Sequence, residues 1–159
     1  MAMNKKKAAK TMFATLCKAL DARNWKYKKN KEELSVSFGV KGDDLPMDFF
    51  IFVDEDRQLL RLVSPMSFKM KEDKRVEGAV VTCAANYGLV DGSFNYDLTD
   101  GKILFRMVHT YRESLIGEEA VQYMISCACY VVDEYNDQFM AVNSGYLSIE
   151  DFLKKENDQ

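Results

Sequence analysis

Few residues in this chain are equipped to do chemistry. His109 is the sole histidine, and it alternates with Ile103, Phe105, Met107 and Tyr111 on one side of a strand-like stretch. A general base there needs a nucleophile or a carboxylate at hydrogen-bond distance, and the spacing nominates none, so His109 reads as a packed or rim residue. The four cysteines, Cys17, Cys83, Cys127 and Cys129, fall in segments of helical period, where thiols pack as small hydrophobes. Cys127 and Cys129 are two apart. On a helix that points them about 200° from each other, which keeps them from gripping one metal together. Asp54-Glu55-Asp56 lacks the spaced oxygens and glycine of a calcium loop and reads as an exposed turn. Gly88, Gly92 and Gly101 do not precede a helix with phosphate-loop spacing. No catalytic residue, no metal ligand and no cofactor site is therefore expected.

Composition narrows the class. The 159 residues are 47% apolar and 30% charged, enough for one domain and one substantial core. The basic start at Lys5-Lys6-Lys7 leads into an apolar run interrupted by Lys10, unlike an export signal, and no segment approaches the roughly 18 apolar residues of a spanning helix. A cytoplasmic location is the expectation. Charge is unevenly spread. Residues 1–31 carry ten Lys/Arg and one acid, whereas residues 32–159 carry twelve against twenty-four. A basic start can bind phosphate or an acidic partner, but the aromatic and glycine pattern of an RNA-binding sheet is absent, so nucleic-acid binding is not the leading expectation.

The elements that must position these residues follow from periodicity. Ala9, Met12, Phe13, Leu16 and Leu20 predict an amphipathic helix over 5–22. After Asn24 the period falls to two. Trp25 to Lys28 and Leu34 to Val40 read as strands, then Met47 to Val53 and Leu59 to Val63 complete an antiparallel meander. Pro65 and the stretch to Met70 are expected to end it. A second helix over 72–87 places Val76, Ala79, Val80, Cys83, Ala84 and Tyr87 on one face, with Gly88 as a left-handed exit. Asp100-Gly101 joins Phe94–Leu98 to Ile103–His109 as a hairpin. A long helix from Glu118 to about Asn143 carries Val121, Met124, Ile125, Ala128, Val132, Tyr135, Phe139 and Val142. Residues 146–159 read as a polar tail, in which Ser148 caps one short turn. The fold class expected is α+β, with one antiparallel β-sheet and three main helices in the order α-β(3-4)-α-β-β-α, in a single domain over 1–159 that opens on a basic start at 1–8.

Ala85-Asn86-Tyr87-Gly88-Leu89-Val90, Gly92-Ser93-Phe94, Asp100-Gly101-Lys102-Ile103-Leu104-Phe105-Arg106 and Gly117-Glu118-Glu119-Ala120-Val121, followed by Asp133-Glu134-Tyr135, resemble the YbjN-like domain family over about residues 9–142. Those residues are mostly turn and packing positions. The resemblance implies a type III secretion chaperone-like fold, no enzymatic activity and no established cofactor. It also implies a bacterial regulator of sensory transduction that binds other polypeptides. Trp25 to Lys28 adds a strand to the shorter family pattern.

One strand is apolar on both faces, with Phe49, Ile51 and Val53 on one and Phe50 and Phe52 on the other. If helices cover one side only, Phe50 and Phe52 join Val63, Leu104 and Val108 in a bare apolar patch, with Arg61 and Arg106 as its polar edges. Otherwise the first helix or the tail covers that face. The function expected is a non-enzymatic protein-binding module, chaperone-like or regulatory, whose partner is another protein or a second copy in a homodimer. The alternative is a binder of a small ligand or nucleic acid, using a groove beside the sheet or the basic first helix.

Overall fold

The computed structural model describes residues 4–158. Its elements are α1 (Lys5–Ala22), β1 (Lys28–Asn30), β2 (Ser35–Lys41), β3 (Pro46–Asp54), β4 (Leu59–Lys69), α2 (Arg75–Gly88), β5 (Ser93–Tyr96), β6 (Lys102–Thr110), α3 (Glu118–Ser144) and α4 (Ile149–Asn157), with a 3₁₀ turn at Glu72–Lys74 leading into α2. The six strands form one sheet in the order β1-β2-β3-β4-β6-β5, every neighbouring pair antiparallel. Residues 1–3 of the expected basic start lie outside the described residues.

Period-two alternation decides which side of the sheet makes the core. Phe49, Ile51 and Val53 of β3, Leu60 and Leu62 of β4, and Ile103, Phe105 and Met107 of β6 are buried together under α1 and α3. The apolar stripe of α1, from Ala8 to Leu20, lies on the same core, and α3 contributes Val121, Met124, Ile125, Ala128 and Phe139. Asn4 caps α1 by accepting from the Lys6 amide, and Gly145 takes the left-handed conformation (φ 78°) that closes α3.

Several expectations are corrected. The first strand begins at Lys28 and spans three residues. Asn24 turns left-handed (φ 55°) and the Trp25 amide donates to the Leu20 carbonyl at 3.0 Å, so Trp25 still belongs to the exit of α1. Pro65 does not end the sheet; β4 continues to Lys69. The Tyr111 amide donates to the Gln58 carbonyl, so even-numbered residues of β4 bond to β6 and Pro65 turns toward β3. Pairing of β3 with β4 has already ended at Phe50 and Val63, and a residue without an N–H costs no ladder bond there.

Helix α2 buries the opposite face from the one expected. Gly78, Val81, Thr82 and Ala85 face inward, while Val76 is 70% and Tyr87 96% exposed and Cys83 lies open. The small residues win because they permit close approach. A Cβ on Gly78 would lie 2.7 Å from both Met70 Cγ and the Tyr96 hydroxyl. Gly88 does not adopt a left-handed exit and the cap residue Leu89 is extended. Finally, the expected polar tail folds as α4, capped by Ser148, whose Oγ accepts from the Asp151 amide at 3.1 Å. Phe152 is fully buried against Phe139 and Tyr135.

Candidate interaction face

All four helices gather on the core side of the sheet, and the alternate residues of β3, β4 and β6 face away from them. Strand register places those residues side by side. Phe50 pairs with Val63, which pairs with Arg106; Phe52 pairs with Arg61, which pairs with Val108; and Pro65 pairs with Leu104. The seven residues expected to share a face, Phe50, Phe52, Val63, Leu104, Val108, Arg61 and Arg106, thus lie on one surface. Phe50 is 37% and Val108 45% exposed, and neither α1 nor α4 covers them.

The arginines do not simply edge this patch. Arg61 sits between Phe52 and Val108, inside it, and Arg106 lies between Val63 and Ser93. Arg61 Nη2 approaches Asp54 Oδ2 at 3.9 Å, while its Nε is buried without an acceptor among the described residues. The surface therefore combines apolar area with a guanidinium donor that is not fully engaged. Toward β1 the face continues into two hollows of about 470 and 280 Å³ that flank Phe50, with Lys28 and Ser37 on both.

Sequence reasoning missed a second apolar surface. Val76, Cys83 and Tyr87 on the outward side of α2, and Val90 just beyond it, are open to solvent. The stripe itself was visible in the period of the helix, but it reads as core until the close packing of Gly78 is known.

The remaining chemistry-bearing residues are dispersed. His109 pairs with Leu60 at the far end of the core side of β6, half-buried, and its ring makes no hydrogen bond to a described residue. Cys17 is buried, Cys127 and Cys129 are half-buried, and Cys83 is exposed, contrary to the packed role expected for all four. Burial pushes the Cys129 thiol up to about 11, assisted by the Asp133 charge, and raises Cys127 as well. Among the described residues no group of three His, Cys, Asp or Glu side chains is disposed to hold a metal, and no helix is long and apolar enough to cross a membrane.

A single antiparallel sheet backed on one side by helices, in this order, is the α+β secretion chaperone-like fold. The chain is similar to a chain in the crystal structure of the ExsC-ExsE complex, with 11% identity and a TM-score of 0.55, over 86% of this chain and 96% of that one. At that identity the likeness is one of fold. No family model matches the chain, and no curated protein does.

Proposed function

We propose that this protein is a non-enzymatic, chaperone-like or regulatory module of the YbjN-like kind, working in the bacterial cytoplasm by holding another polypeptide or a second copy of itself. One observation carries the reading: the sheet is covered by helices on one side only, and Phe50, Phe52, Val63, Leu104 and Val108 lie together on the other. Contiguous apolar area of that kind, crossed by arginines, suits protein contact better than catalysis. An incoming carboxylate would satisfy Arg61, so the matching surface is apolar with acidic residues interspersed. The crystallised neighbour of the same fold is part of a two-protein complex by its name, which supports the reading. The resemblance to YbjN-like domains adds the role of a sensory transduction regulator.

Light scattering coupled to size exclusion, at low and high salt, tests it. A salt-resistant dimer that Phe50→Glu converts to monomer supports self-association through this face. A wild-type monomer redirects the test to partner capture, compared between wild type and Phe50→Glu. Equal capture by both overturns the assignment of the face. Nucleic-acid retention that falls steeply with salt would favour the rival reading instead.

A further inference from the structure

On the helical side of the molecule the β2–β3 loop meets the middle of α3 around a hollow of about 370 Å³. Asp43 and Asp44 enter it from the loop, and Asp133, Glu134 and Asp137 from the helix. The loop closes onto the helix because residue 42 is glycine: a Cβ there would collide with the Asp133 carboxylate. The Asp43 amide then donates to Asp133 Oδ1 at 3.0 Å. None of the five carboxylates forms an ion pair among the described residues, and Lys155 is the one cation on the wall.

A second observation is independent of this charge. Gln138, 8% exposed, also lines the hollow. Its Nε2 donates to the Glu134 carbonyl at 2.8 Å, which fixes the amide orientation and leaves Oε1 buried with no donor. A buried acceptor without a donor has lost its water partners with nothing in exchange. Carboxylates accept only. The walls therefore ask for a ligand that brings N–H donors together with positive charge.

Two features select among cations. No set of three His, Cys, Asp or Glu side chains among the described residues is disposed to hold a metal, which points to an organic cation. Tyr130, 71% exposed, borders both this hollow and a neighbouring one of about 360 Å³. A planar group stacks on such a ring while its edge bonds to acceptors, and guanidinium does both where a compact ammonium does not. We propose that this hollow binds a guanidinium group, the end of an arginine side chain carried by a partner polypeptide.

The test is a titration of the isotope-labelled full chain, followed by amide chemical shifts, with acetyl-Gly-Arg-Gly-amide and its lysine twin. The arginine peptide should give saturable shifts centred on Asp43, Tyr130 and Gln138, with the lysine twin about tenfold weaker. Glu134→Gln, at an exposed position, and Gln138→Leu, which leaves no acceptor to satisfy, should each weaken the arginine peptide about tenfold, with the rest of the spectrum confirming the fold. Absence of saturable shifts in the wild type, equal affinity for the twins, or undiminished binding by both variants overturns the proposal.

Discussion

Asp100 ties three parts of the sheet together through one carboxylate. Its Oδ1 accepts from the Lys102 amide at 3.0 Å, and its Oδ2 from Lys102 Nζ at 2.9 Å and Lys69 Nζ at 3.2 Å. The bonds from Lys102, first its side chain and then its backbone, hold the carboxyl well below the usual carboxylate range, with Lys69 adding to them. Because the folded value is depressed, the stabilisation is fully present above the unfolded value of about 3.9. It is lost as pH falls through the folded value. Asp100→Asn should therefore flatten the acid limb of a stability-against-pH curve below about pH 4, measured by chemical denaturation; an unchanged limb refutes the assignment. The turn itself was legible, since Asp-Gly between alternating segments demands the left-handed residue that Gly101 supplies (φ 75°). Thiol exposure was not legible. At neutral pH Cys83 should react rapidly with a maleimide, while Cys17, which is buried, waits on unfolding and Cys129 on unfolding or strongly alkaline solution, as mass spectrometry of the labelled chain would read out. Rapid labelling of Cys17 would contradict its burial.

Among the elements, long helices were readable and their faces less so. The bounds of α1 and nearly all of α3 follow from three-four spacing, because both carry large apolar residues on the buried side. Helix α2 carries Val76 and Tyr87 outward and packs through Gly78, Val81, Thr82 and Ala85. A hydrophobic pattern weighs size and so favours the wrong face where backbone proximity decides the packing. Asn86 shows the same limit, since its side chain donates to the Phe94 carbonyl and accepts from the Phe94 amide. That closes the edge of β5 at this residue, a role its position near a helix end does not announce. Helix α4 escaped because Phe152 is its one fully buried anchor among polar residues. Phe152→Ala should cost about 3–5 kcal/mol in urea unfolding, whereas in a polar tail the change would stay within about 0.5 kcal/mol.

At the scale of the molecule, one strand tests the whole arrangement. Alternation in β3 makes two apolar faces evident from sequence, but it cannot say which face the helices choose, because α1, α3 and the sheet are joined by loops that reach either side. The structure puts Phe49 at the centre of the core and its neighbour Phe50 on the bare face, paired with Val63 and beside Arg61 and Arg106. Substitutions at these two adjacent residues should therefore separate folding from association. Phe49→Ala should cost about 3–5 kcal/mol of stability. Phe50→Glu should cost less than about 1 kcal/mol, keep native helicity in circular dichroism, and abolish association through the sheet. Association that is apolar in origin persists at high salt, whereas pairing driven by the basic first 31 residues and the acidic remainder weakens as salt rises. Light scattering on wild type and Phe50→Glu across salt concentrations distinguishes the two. If Phe50→Glu destabilises the chain as much as Phe49→Ala, the outer ring is structural and the bare-face reading fails; if it stays folded and still dimerises, the interface lies elsewhere, and the exposed stripe of Val76, Cys83 and Tyr87 on α2 becomes the surface to substitute next.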